Sequence, residues 1–470
     1  MNELTRHSAT RLAELIHGRE VSPVEVIEAH LRRIEELNPA LNAIVTLAPD
    51  ALVRARAAEE AVMRGEPTGP LHGVPVTVKD TIETKGLRTT SGSLRRAEYV
   101  PEKDAQAVAR LKAAGAILLG KTNMAEMAID YRSDNPVFGR TSNPHDVTRT
   151  PGGSSGGEAA AIAACLSPAG LGSDLMGSVR VPAHFCGILS LKPTVGRVPA
   201  DGHFPSSTGP FSLGASLGPM ARRVEDLRLL FGVLGGLDQA ESVQASEIRG
   251  WRVAWYASDG VAPVTEETRA AVERAARALA DAGLQVEERR PPGVERGQDL
   301  WTALFARAAV WQLRELYEGH EDQAGDLARV ILASGERADT FTLDQFIKAW
   351  TERDALRAAL VEWMSAWPLT LAPVGATHAF EHGARKVRVA DQELSIFRAF
   401  SYSQAFNVFD LPVACVPAGR SPEGLPIGVQ IIGRPFDEES VLAAARIIEE
   451  ALGGWQPPPC ALSPEGDNPL

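Results

Sequence analysis

PGGSSGGEAAAIAACLSPAGLGSDLMGSVRVPAHFCGILSLKPTVGRVP, residues 151–199, sets two serines between glycine pairs, then an alanine-rich run, then a second glycine–serine turn. Three roles compete for the first serines. A phosphate loop needs a lysine and a hydroxyl after its last glycine to neutralise phosphate and hold magnesium. Here Gly157 is followed by Glu158, whose charge repels a phosphate. Gly153-Ser154-Ser155-Gly156-Gly157 satisfies G-x-S-x-G, the nucleophile-elbow pattern, which also requires an acid and then a histidine downstream. His184, His203, His320, His378 and His382 are available, and no pattern singles one out. Ser155 and Glu158 also stand at the S-x-x-E spacing of a capping box before AAAIAAC, which predicts a helix capped by Ser155 and leaves Ser154 without a role.

The second turn, GSDLMGSVRVP (172–182), presents Ser178 while aiming backbone N–H groups at one point, an arrangement able to stabilise an oxyanion. A nucleophilic serine needs a base. Lys79 ends the apolar run GVPVTVKD (73–80). At a strand end in water it is a solvated cation; buried, it is pushed toward the neutral amine, a usable base.

Outward from this core, short apolar runs alternate with helices and loops over about 70–200: GVPVTVKD, AQAVARLKAAGAILLGKT, SPAGLGSD and CGILSLKPT. That alternation predicts an α/β core with buried strands. Residues 8–65 carry helical periodicity, with Ser22-Pro23 starting the helix that holds Val26, Ile27, His30 and Ile34. Helical patterns dominate 222–366, strand-like runs return in WPLTLAPV, LPVACVPAG and LPIGVQIIG, and a final helix starts near 437. With no repeat or linker, the expectation is a single domain over 1–470: a helical layer (1–65), a core (66–222), a mainly helical substrate region (223–405) and a return to the core (406–455). The tail from Trp455 reads as loosely ordered.

A chain of 470 residues with 44% apolar content has a large core, and a net charge of −12 argues against nucleic acid or an anionic membrane as main partner. The start lacks the apolar run of a signal peptide and no window is long enough to span a bilayer, which points to a cytoplasmic protein. Cys165, Cys186, Cys415 and Cys460 lack CxxC spacing, so they read as isolated buried thiols rather than a zinc site or a disulfide framework.

Residues 151–199 resemble the signature of the amidase signature family almost throughout. GVPVTVKD and GKTNMAEMA upstream, and LGPMARRVEDLRLL and GLPIGVQIIGRPFDEESVL downstream, match as well, while 250–405 match loosely. The resemblance implies a large mixed, twisted β-sheet covered by helices on both faces. It also implies a Ser-cisSer-Lys triad, with Ser178 as nucleophile, Ser154 as bridging serine after a cis peptide, and Lys79 as base. The two serines stand 24 residues apart, as the signature requires. Ser155 is implied as a supporting hydrogen-bonding residue, and the backbone N–H groups of Leu175, Met176, Gly177 and Ser178 as the oxyanion hole. No metal or cofactor is implied, the partner is a small-molecule amide, and a homodimer stays open.

One departure stands out: the family commonly has glycine where this chain has Met176. Were a positive φ needed there, methionine would be strained; otherwise its thioether reaches toward the acyl group. Met127, Tyr131 and Met176 are the expected substrate contacts. Trp301, Phe305, Trp311 and Trp350 read either as an aromatic cleft or as helical core. The expected activity is hydrolysis of apolar or aryl amides, with ester or carbamate activity open. The alternatives are the glutamine-hydrolysing component of a tRNA-dependent amidotransferase and a scaffold without catalysis.

Overall fold

Apolar residues alternating along short strands sort onto the two faces of one sheet. The computed structural model describes residues 3–236, 243–336 and 341–461. Its strands are β1 (Ile44–Leu47), β2 (Pro75–Lys79), β3 (Ile117–Thr122), β4 (Ala169–Asp174), β5 (Leu189–Lys192), β6 (Ser216–Ala221), β7 (Arg252–Trp255), β8 (Gln285–Glu288), β9 (Leu369–Pro373), β10 (Lys386–Val389), β11 (Gln392–Ser395), β12 (Val413–Arg420) and β13 (Pro426–Gly433). Eleven strands form a mixed sheet in the order β1-β3-β2-β4-β6-β5-β12-β13-β9-β7-β8, and β10 and β11 pair separately. β3, β2 and β4 run parallel, as do β9, β7 and β8, while the pairs between β4 and β9 are antiparallel.

Val76, Val78, Leu118, Leu171, Ala414, Val416, Val429 and Ile431 pack under helices Ala9–His17, Val224–Gly235, Glu266–Asp281 and Glu438–Leu452. The intervening Val413, Cys415, Ile432 and Ala372 face the opposite layer, with helices Arg180–Cys186 and Ser401–Val408. The expected sheet with helices on both faces is therefore present. Lys79 alternates with Val76 and Val78 and so projects to the side away from their cluster.

The N-terminal helices form as expected. Pro23–Leu41 starts from Ser22 with a complete capping box to Glu25. It ends at Asn42, which takes the left-handed conformation (φ 50°), and the segment just beyond pairs with β3 as β1, a strand the helical reading passed over. β7 and β8 likewise lie in the region read as helical. Each has only four residues, too few for a period-two pattern to stand out.

The helix Gly156–Ala163 begins after Ser155, but the expected capping box does not form. Ser155 Oγ donates to the Ser173 carbonyl at 3.4 Å, and the Glu158 carboxylate accepts from the hydroxyls of Thr77 and Thr122. A buried carboxylate needs donors more than the helix end needs a cap, so the strand hydroxyls win. Gly170 makes this possible: a Cβ there would collide with the Glu158 carboxylate.

Cys165, Cys186 and Cys415 are buried, Cys460 is partly exposed, and all four are unpaired. Among the described residues no helix is long and apolar enough to cross a membrane. The tail beyond 461 lies outside the described residues.

Candidate active site

Lys79, at the end of β2, is completely buried, and its ammonium nitrogen donates to Ser154 Oγ at 2.6 Å and Ser173 Oγ at 3.0 Å. Burial lowers its pKa from 10.5 to about 7, against the opposing pull of the Asp174 and Glu158 carboxylates. Both protonation states are therefore accessible near neutrality. The Gly153–Ser154 peptide is cis, as the resemblance implies. The Ser155 N–H donates to the Ser178 carbonyl at 3.2 Å and so ties the first serine turn to the second. Ser154 and Ser178 line the same cavity. Among the described residues their hydroxyls do not hydrogen-bond each other.

The second turn is fixed from beneath by charges that the sequence reading did not single out. Asp174 Oδ1 accepts the Gly177 N–H at 2.8 Å, and Oδ2 accepts the Val179 N–H at 3.1 Å. Arg180 donates to both carboxylate oxygens at 3.1 and 3.0 Å, and Asn407 Nδ2 donates to Oδ1 at 2.9 Å. Burial would raise the Asp174 pKa, but Arg180 and Asn407 hold it well below the usual carboxylate range. The Gly177 amide is thus occupied and drops out of the expected oxyanion donors. Among the described residues the amides of Leu175, Met176 and Ser178 make no hydrogen bond to the protein, and these three residues line the cavity.

Met176 is not among the residues with positive φ, whereas Gly177 has φ 102°, so methionine at the departing position carries no left-handed strain. Met176 and Met127 both line the cavity. Tyr131 does not: it is fully buried, and its hydroxyl donates to the carbonyls of Met176 (2.8 Å) and Phe400 (3.2 Å). The expected substrate contact is instead a support behind the wall.

The cavity, of about 350 Å³, is walled mainly by Met127, Ile129, Leu175, Met176, Phe211, Trp301, Phe305, Leu313 and Phe397. Trp301 is held by its indole N–H on the Leu175 carbonyl at 2.8 Å. The aromatic set divides: Trp301 and Phe305 form the wall, Trp311 is 62% exposed, and Trp350 packs on Phe346. His203 also lines the cavity; its Nδ1 bonds the Pro205 carbonyl at 2.6 Å, and burial lowers its pKa to about 4, so the ring is neutral. None of the described residues lining the cavity is lysine or arginine.

The arrangement pairs a buried amine with serine hydroxyls beside unoccupied backbone donors, which suits acyl transfer. Comparison with known proteins agrees. The Amidase family model matches residues 25–442. The A subunit of the glutamyl-tRNA(Gln) amidotransferase of Heliobacterium modesticaldum is 32% identical, covering 96% of this chain and 98% of the relative. Fatty-acid amide hydrolase 2-A of Danio rerio is also 32% identical, covering 97% of this chain and 91% of the relative. The crystal structure of a bacterial aryl acylamidase superposes with a TM-score of 0.83 at 28% identity, covering 95% of this chain and 96% of that one. From its sheet, its two serine turns and this likeness along nearly its whole length, the chain belongs to the amidase signature family and is an amide hydrolase.

Proposed function

We propose that the chain is a stand-alone hydrolase of neutral apolar or aryl amides, acting through a Ser178 acyl-enzyme with Ser154 and Lys79 as proton relay. The observation that carries the reading is Lys79, fully buried, held toward its neutral form and 2.6 Å from Ser154 Oγ. Neutral Lys79 takes the Ser154 proton while Ser154 takes that of Ser178, and Ser178 Oγ bonds to the scissile carbonyl carbon. The amides of Leu175, Met176 and Ser178 receive the developing oxyanion. Ser154 returns a proton to the leaving nitrogen, the C–N bond breaks, and water then releases the acid by the same relay. An ester or carbamate fits this sequence equally, because the leaving atom is protonated by the same hydroxyl.

The cavity wall supports the substrate class. An α-carboxylate would call for a cation, and the described lining residues provide none. The likeness to the amidotransferase component keeps a second reading, glutamine hydrolysis within a larger assembly, in play. One panel separates them: a short aliphatic amide, an anilide, an aryl ester, an aryl carbamate and glutamine, with Ser178→Ala in parallel. Turnover of anilide, ester or carbamate that vanishes in the variant supports the proposal. Turnover of glutamine alone favours the amidotransferase reading, and activity surviving Ser178→Ala removes Ser178 from the mechanism. If neither protein turns over any of the five, the scaffold reading gains.

A further inference from the structure

The chain turns immediately after Lys79, with the Ile82 N–H donating to the Lys79 carbonyl at 3.1 Å, and the segment 202–204 is laid against that turn. His203 pairs with Ile82 in an antiparallel bridge. The Phe204 N–H donates to the Thr81 carbonyl at 2.9 Å and the Glu83 N–H to the Gly202 carbonyl at 2.8 Å, while the Phe204 carbonyl accepts from the hydroxyls of Thr81 and Ser91. His203 therefore borders the cavity from the Lys79 side. That is the side from which Ser154, bonded to Lys79, hands a proton to the departing nitrogen.

The hydrogen bonds of the ring fix its tautomer. The Pro205 carbonyl can only accept, so Nδ1 carries the proton, and in the neutral ring Nε2 holds a lone pair and no hydrogen. Nε2 bonds no described residue, and it is accessible, unlike the Nε2 of His30, which is sealed in the core without a partner. Serine and threonine hydroxyls on the lining can turn to give or to take a hydrogen bond, whereas this nitrogen can only take one. An apolar leaving group that displaces water from it leaves the lone pair bare, and an N–H or O–H brought to the same place restores the bond. We infer that His203 Nε2 is a specificity-determining acceptor for a hydroxyl or N–H donor carried by the leaving amine, beyond the scissile nitrogen. The inference rests on the reading of the chain as a stand-alone hydrolase of neutral amides.

The test uses one acyl group on anilines that bear hydroxymethyl, methoxymethyl or ethyl at the ortho, meta or para position, with the released aniline quantified for wild type, His203→Phe and His203→Gln. At the best position, wild type should favour hydroxymethyl over methoxymethyl by about three- to tenfold in kcat/KM. His203→Phe keeps a ring but no acceptor, and should bring hydroxymethyl down to methoxymethyl. His203→Gln, whose amide oxygen accepts, should keep part of the preference. Each ratio is taken within one protein, so a lower folded fraction cancels. With the same three groups moved to the acyl side, the ratio should be unchanged by His203→Phe. Equal hydroxymethyl and methoxymethyl rates in wild type, a preference that survives His203→Phe, or one found on the acyl side that His203→Phe removes, overturns the inference while leaving the amide-hydrolase reading intact. Silence of wild type toward every anilide overturns both.

Discussion

Replacing Lys79 with methionine should abolish turnover and yet stabilise the fold at neutral pH. Lys79 has a folded pKa of about 7 against 10.5 in the open chain. Between those values the unfolded chain binds a proton that the native protein does not, so wild-type stability rises with pH across this window and is flat on either side. Each pH unit is worth about 1.4 kcal/mol, so at pH 7 keeping this amine neutral costs about 5 kcal/mol relative to pH above 10.5. Methionine fills the same volume without that cost. It forfeits the bonds to Ser154 and Ser173, at about 1 kcal/mol each. The net expectation for Lys79→Met is a gain of about 2–3 kcal/mol at pH 7. Between pH 7 and 9.5 the gap should fall by about 3 kcal/mol. Urea unfolding of both proteins at the two pH values measures it, since titrating groups remote from Lys79 cancel in the difference, and repeating the pair in a Glu158→Gln background removes the one neighbour that titrates near pH 7 with Lys79. A gap that does not change with pH would mean that Lys79 has the same protonation in the folded and unfolded chains, and the proton relay would lose its base.

Wild-type kcat/KM should climb about tenfold per pH unit below 7 and level off above it, as expected for a base that must first lose its proton. Glu158 is one of the carboxylates that pull the Lys79 pKa upward, so Glu158→Gln should move that limb to lower pH; a limb that stays put or moves up contradicts the assignment. Arg180→Met strands the buried Asp174 carboxylate and should destabilise the protein by about 3–5 kcal/mol, read by urea unfolding. Adding Asp174→Asn in the same chain should recover part of the loss. Phe305→Ala should raise KM for an anilide about tenfold or more relative to a short aliphatic amide, since the aromatic wall is worth about 1.5–3 kcal/mol only to a substrate that covers it. Equal effects on the two substrates would take Phe305 out of the binding wall.

What the sequence makes legible follows the range of the interactions involved. β2, β3, β4, β5, β9, β12 and β13 are readable because each is an apolar run closed by turn residues. β1, β7 and β8 are not, being four-residue strands inside helical surroundings. Ser178 and Lys79 are visible one at a time, but nothing local joins them: the chain brings Lys79 to Ser154 across 75 residues. Asn407, which holds Asp174 across 233 residues, sits in a helix with no local signal. The Ser155–Glu158 spacing shows the converse failure, where a local rule is readable but loses. In water Glu158 would close a capping box. In the folded chain, Gly170 opens a pocket that draws its carboxylate onto the Thr77 and Thr122 hydroxyls, two residues from Lys79 on β2 and one from Lys121 on β3. There burial raises the Glu158 pKa to about 7, against the opposing pull of the Thr77 and Thr122 hydroxyls and then of Lys121 and Lys79. The residue that looks like a cap is therefore part of what sets the protonation of Lys79, a role it takes from the hydroxyls of β2 and β3 and the space left at Gly170 on β4.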